Sequence, residues 1–202
     1  MMKLYYSPGA CSLAPHIVLN EIGVKFDLVQ VDLRAKVTQD GDDFTLVNPH
    51  GRVPTLTLDN QEVLTESVAV LQYIADQHPE AGLVPESGTL ARARLHEILN
   101  FLTSDLHKAF GPLFMNCSDE VRESNLALIA AKFSYLDKVL SDREYLVENK
   151  YSVADIYLFV ITGWTMPLGI NLDEWPDLAA FVGRIAERPQ VVRSMADEGL
   201  FS

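Results

Sequence analysis

The chain has 202 residues, enough for two small domains or one elaborated one. With 48% hydrophobic and 22% charged residues it has the composition of a globular protein able to bury a core, not of a disordered or fibrous one. Twenty-eight acidic against sixteen basic residues leave a net charge of −12, which repels a phosphate backbone and an anionic membrane alike and argues against both as partners.

Met1-Met2-Lys3-Leu4-Tyr5-Tyr6 turns polar at Ser7-Pro8-Gly9 before a secretory h-region can form. No apolar run approaches the ~18 residues of a membrane span, so the expected location is cytoplasmic. Lys3–Tyr6 reads as a strand ended by the Ser-Pro-Gly turn. A helix follows over Cys11–Ile22, because Leu13, Ile17 and Val18 recur at helical spacing. Pro15 fits only in its first turn, where backbone N–H groups lack intrahelical acceptors, and this places Cys11 at the helix start. Gly23 terminates the helix, and Phe26–Val31 alternates as a second strand. After the loop Asn48-Pro49-His50-Gly51, Val53–Leu58 is a third strand, Asp59-Asn60 a hairpin turn, Glu62–Leu64 a fourth strand, and Ser67 opens a helix through Ile74.

The run His78–Thr89 has two prolines, two glycines and no periodicity, which suits a linker. Beyond it Leu90–Phe110, Val121–Leu140, Val153–Trp164 and Leu178–Ala186 each carry the 3.6-residue apolar period of a helix. The expected division is therefore a βαβ-ββα domain over 1–81, a linker over 82–88 and an all-helical domain over 89–202. Ser152-Val153-Ala154-Asp155 is a capping-box pattern, with Tyr151 and Ile156 at the positions of a hydrophobic staple.

Cys11 and Cys117 lie far apart in unlike surroundings, so they form neither a disulfide framework nor a zinc site. A thiol at a helix N-terminus feels the positive end of the macrodipole, which lowers its pKa from ~8.5. A buried structural cysteine is the alternative for Cys11, and Ser12 and Tyr6 are rival hydroxyls beside it. In the first helix of the second domain, a rotation of ~100° per residue puts Leu95, Leu99, Leu102, Leu106 and Ala109 on one stripe. The same rotation sets Asn100, Ser104 and His107 on the opposite, polar side.

Several segments together resemble the beta-class bacterial glutathione S-transferases. Ser7-Pro8-Gly9-Ala10-Cys11-Ser12-Leu13 resembles their active-site loop, Gly51-Arg52-Val53-Pro54 their proline loop and Thr65-Glu66-Ser67 their glutathione carboxylate and amine site. Leu106-His107-Lys108, Ser152-Val153-Ala154-Asp155 and Glu187-Arg188-Pro189 extend the match over nearly the whole chain. The resemblance implies a thioredoxin-like α/β domain followed by an all-helical domain that supplies the electrophile pocket and the contacts of a homodimer. It implies that glutathione is a co-substrate rather than a cofactor, that no metal or cofactor is needed, and that a small hydrophobic electrophile is the second substrate.

The resemblance further implies that Cys11 touches the glutathione sulfur and that His107 assists its ionisation. The Val53–Pro54 bond is implied to be cis, with the Val53 backbone paired to the cysteinyl part of the tripeptide. Lys36 would meet a glutathione carboxylate, and Glu66 and Ser67 the γ-glutamyl end. Asn100, Ser104, Asp105 and Leu106 complete the implied glutathione contacts, Asp105 reaching the amine bound by the neighbouring subunit. Tyr6, Phe110 and Trp164 are candidates for the electrophile pocket. Two other activities fit the same residues: disulfide or peroxide reduction through a Cys11 mixed disulfide, and non-catalytic ligand binding on the same scaffold.

Overall fold

In the computed structural model, which describes residues 1–200, the chain begins with β1 (Met2–Tyr6) at the centre of a five-stranded sheet of order β3-β2-β1-β4-β5. β1 runs parallel to β2 (Phe26–Asp32), with Leu4 opposite Leu28, and antiparallel to β4 (Thr55–Thr57), with Leu4 opposite Leu56. β5 (Val63–Thr65) closes the other edge. Leu4, Tyr5 and Tyr6 are all buried, as a strand covered on both faces requires. Tyr5, on the face opposite Leu4, packs with Val31, Phe44 and Val53 in a cluster of its own.

β3 (Val37–Thr38) was not among the expected strands. Two residues are too few to display alternation, and what marks the strand is its pairing with Val31 and Asp32 at the sheet edge. The remaining order is the expected βαβ-ββα, a thioredoxin-like arrangement. Helix α1 (Leu13–Ile22) lies between α2 (Ser67–Asp76) and α9 (Pro189–Asp197), and every residue from Leu13 to Asn20 is buried.

The contacts divide the chain into two compact units, Met1–Gly82 with the segment that starts at Arg188, and Leu83–Glu187. This differs from the expected boundary, which gave all of 89–202 to the helical domain. The reason is that α9 is tied to α1: Arg188 pairs with Glu21 at 2.9 Å, and Asn20 donates to the Ser194 hydroxyl at 2.8 Å.

In the second unit, α3 (Leu90–Phe101) starts at Thr89, whose hydroxyl accepts from the Arg92 N–H. It continues without interruption into a π-helical segment, Leu102–His107, and a last turn α4 (Lys108–Phe110). The stripe Leu95, Leu99, Leu102, Leu106 and Ala109 is buried as expected. α5 (Asp119–Leu140), α6 (Val153–Gly163), α7 (Thr165–Leu168) and α8 (Pro176–Ala186) complete the unit. α6 is its central helix, buried at every position from Val153 to Thr162.

The capping box at the start of α6 is present. Asp155 Oδ2 accepts from the Ser152 N–H at 2.8 Å and its hydroxyl at 2.7 Å, while Oδ1 accepts from the Leu146 N–H at 2.8 Å. An Asp155→Ala variant leaves these donors buried without an acceptor and is expected to lose about 3 kcal/mol of stability in urea unfolding. Burial raises the Asp155 carboxyl from 3.8 to about 6, so the folded state holds the proton more tightly than the unfolded one. The contribution of this group therefore falls as pH rises from about 4 to about 6 and is level above. An Asp155→Asn variant should lack that dependence, and a wild-type-minus-variant difference that is flat over this range would contradict it.

Candidate active site

The loop between β1 and α1 carries Cys11. Gly9 adopts the left-handed φ of 69°, and the Ala10 N–H closes the turn onto the Ser7 carbonyl at 3.0 Å. The buried Ser12 hydroxyl accepts from the Ser7 N–H at 3.2 Å, so it is committed to the loop backbone and is no longer a rival thiol activator. The Gly9 N–H donates to Glu198 Oε2 at 2.9 Å, and Glu198 Oε1 lies 2.9 Å from His16 Nδ1. Both side chains are fully enclosed. Neither His16 nor Glu198 was singled out from the sequence, and a separation of 182 positions offers no local signal for the pair.

Cys11 stands just ahead of the helix, one residue before the Ser12 cap, and its thiol donates to the Val53 carbonyl at 3.2 Å. The expected acidic thiol is not what the surroundings produce. Burial is the largest influence and pushes Cys11 up to about 11. Hydrogen bonding from the Ser67 side chain and from the Cys11 and Ser12 N–H groups works against this, and Glu66 adds to it. A helix terminus contributes fractions of a kcal/mol to about 2, less than removing a thiolate from water costs here.

Val53 is buried and its bond to Pro54 is cis. Ser67 opens α2, a ten-residue helix, and Glu66 before it holds the left-handed φ of 69° uncommon for a non-glycine residue. The first unit thus brings Cys11, Val53, Glu66 and Ser67 together around one thiol, with Pro54 fixing the turn beside it. Lys36 also has a left-handed backbone, φ 61°, and its ammonium donates to the Gly51 carbonyl at 2.7 Å. A side chain at Gly51 would meet Lys36 Cδ at 2.8 Å, so glycine there leaves room for the lysine stem. Tyr6 is buried against His16, with ring centroids 6.4 Å apart. Burial, then the Glu198 and Asp197 charges, raise the Tyr6 phenol, so it does not serve as an ionised activator.

In the second unit, His107 ends the π-helical segment. Its Nδ1 lies 2.6 Å from the Tyr157 hydroxyl, and its ring meets Trp164 edge-on at 4.7 Å. Trp164 in turn contacts Phe110 at 5.6 Å and Phe114 at 5.9 Å. Phe110 has no exposed surface and backs Trp164, whereas Phe114, Met115 and Met166 are exposed. Burial lowers His107 to about 4, so its imidazole is neutral at physiological pH.

Asn100, Ser104 and Asp105 lie on an exposed face and bond locally: Asn100 donates to the His96 carbonyl, and Ser104 to the Asn100 carbonyl, each at 2.8 Å. Asp105 is paired with Lys132 at 2.8 Å. His107 does not share that face, because the wider π turn carries it toward Tyr157 and away from where an α-helical rotation would put it. The Leu106 side chain is core. Tyr157 went unnoticed in the sequence, where it is one more apolar-face residue of α6.

Among the described residues no cluster of three or more His, Cys, Asp or Glu side chains could hold a metal ion, and no helix is long and apolar enough to cross a membrane. Residues 1–76 match the family "Glutathione S-transferase, N-terminal domain", and residues 92–189 match "Glutathione S-transferase, C-terminal domain". Glutathione S-transferase GstA of Escherichia coli O157:H7 is 42% identical over 200 residues, covering 98% of this chain and 100% of the relative. Among solved structures, a beta-class glutathione S-transferase from Sphingomonas chungbukensis is 52% identical with a TM-score of 0.95, covering 98% of this chain and 99% of that one. A sphingomonad glutathione S-transferase complexed with glutathione is 50% identical over the same shares, also with a TM-score of 0.95.

The chain belongs to the glutathione S-transferase family. Within it, the similarity runs to the bacterial beta class.

Two titrations check the electrostatics of this site. In a Cys117→Ser background, the ultraviolet absorbance of the Cys11 thiolate should appear only above about pH 10; a midpoint below 9.0 would contradict the dominance of burial. The His107 imidazole, followed by NMR, should show no protonation step between about pH 5 and about pH 8.

Proposed function

We propose that this transferase binds glutathione in its first unit and adds the tripeptide's thiolate to small hydrophobic electrophiles. The observation that carries the reading is the convergence of Cys11, the Val53 backbone, Glu66 and Ser67 on one point at the C-terminal end of the central strand β1. The Val53 backbone pairs with the cysteinyl residue of glutathione in the manner of an added strand. The N-terminus of α2, with Ser67 and Glu66, receives the γ-glutamyl carboxylate and ammonium. Lys36 holds the other carboxylate, moving from the Gly51 carbonyl to do so.

Conjugation is favoured over disulfide or peroxide reduction by Cys11 itself, because the thiol donates its proton to the Val53 carbonyl at 3.2 Å and its surroundings raise its pKa, which makes it a poor nucleophile at neutral pH. Neutral His107 supports the glutathione thiolate. The electrophile lies against the exposed apolar side chains Phe114, Met115 and Met166 beside Trp164. The protein works as a cytoplasmic homodimer in detoxification, without metal or bound cofactor, and Asn100, Ser104 and Asp105 face the neighbouring subunit's glutathione. Asp105 must then exchange its Lys132 partner for the ammonium.

The test is an ultraviolet titration of bound glutathione together with conjugation kinetics. The bound thiol should ionise at lower pH than free glutathione. His107→Ala should raise that midpoint and lower kcat about 10²-fold, while Cys11→Ala should keep most of its conjugating activity. A bound thiol no more acidic than the free one would overturn the reading.

A further inference from the structure

Tyr157, on the buried helix α6, is 1% exposed and meets two side chains of the π-helical segment. Its hydroxyl lies 2.6 Å from His107 Nδ1 and 3.2 Å from Thr103 Oγ1. The ring nitrogen facing Tyr157 is therefore in a hydrogen bond whose direction decides which nitrogen carries the proton of the neutral imidazole.

Three arguments set that direction. A phenol is a better donor than a neutral imidazole N–H, and an imidazole nitrogen a better acceptor than a phenol oxygen, so the proton of the pair lies with oxygen and points to nitrogen. The length agrees: 2.6 Å belongs with bonds donated by a hydroxyl, whereas bonds donated by N–H cluster near 2.9 Å. Lastly, the chain Thr103 hydroxyl to Tyr157 oxygen, Tyr157 hydroxyl to His107 Nδ1 uses every proton. The reverse order would turn the proton of the half-buried Thr103 hydroxyl out to solvent and give up that internal bond.

We propose that Tyr157 is a positioning residue that fixes His107 as its Nε2–H tautomer, so that His107 meets the glutathione sulfur as a hydrogen-bond donor and not as a proton acceptor. The role at the sulfur rests on the function proposed above; the tautomer does not. Its consequence is a division of labour in ionisation. The thiol proton leaves to bulk water, and the Nε2–H stabilises the sulfur charge that remains, as a donor preorganised by burial does for a developing anion. Burial, by keeping the ring neutral, leaves a single ring proton for Tyr157 to direct.

The experiment is long-range proton–nitrogen NMR of the ¹⁵N-histidine-labelled protein at neutral pH, without glutathione. The chain has five histidines, and His107→Gln assigns the signal. The wild type should show an unprotonated, pyridine-type Nδ1 and a protonated, pyrrole-type Nε2; the opposite pattern overturns the proposal. Tyr157→Phe should shift both nitrogens toward the averaged values of a tautomer mixture and lower kcat about tenfold, with KM for glutathione changed less than about twofold. Thr103→Val, which leaves the Tyr157-to-His107 bond in place, should retain the wild-type tautomer. If Tyr157→Phe leaves both nitrogens unchanged, Tyr157 does not set the tautomer. Should Tyr157→Phe fail to fold, the wild-type and Thr103→Val spectra still decide. A wild-type protein with the expected tautomer but an unactivated bound glutathione would sustain the proposal for the ring while removing the function proposed for it.

Discussion

A carboxylate without solvent must be paired, and the first unit is organised around one. Glu198 has no exposed side-chain surface, and its two oxygens are taken by His16 of α1 and by the Gly9 N–H of the loop before Cys11. Breaking either contact would leave a buried polar group unmatched, so the loop, the helix it feeds and the turn after α9 hold one arrangement together. This accounts for the grouping of the last helix with the sheet, and it gives the loop a fixed position from which the Cys11 thiol reaches the Val53 carbonyl.

The same economy of charge marks the reactive residues. Burial raises Cys11 to about 11 and lowers His107 to about 4, so both candidates for thiol chemistry are uncharged at neutral pH. What the first unit offers is a set of oriented donors around one point: the Cys11 thiol, the Ser67 hydroxyl and backbone N–H groups. Donors of this kind stabilise an anion that arrives or forms, and are of little use for making one of their own. The acidic balance of the whole chain is consistent with this. With a net charge of −12 the chain as a whole repels an anion, so attraction for one has to come from local donors and positive groups.

Features written in short stretches of sequence were readable there. The helical spacing around Leu13, the five-residue stripe from Leu95 to Ala109, the α6 capping box and the turn at Gly23 each depend on neighbours within a turn or two. The β3 strand was not readable because two residues carry no period. The position of His107 was misjudged because a rotation suited to an α-helix was carried into a π-helical segment. The acidity of Cys11 was misjudged for a related reason: a helix terminus is visible in sequence, whereas the burial that outweighs it is made by residues far along the chain. His16 with Glu198, and Tyr157 with His107, are pairs of the same kind, 182 and 50 positions apart.

The claim that Glu198 holds the active-site loop is tested most directly by amide hydrogen exchange at Gly9. In a Glu198→Ala variant the Gly9 amide should exchange about tenfold faster or more than in the wild type, while the Leu4 amide of the central strand keeps its protection. Equal protection of Gly9 in the two proteins would contradict the account.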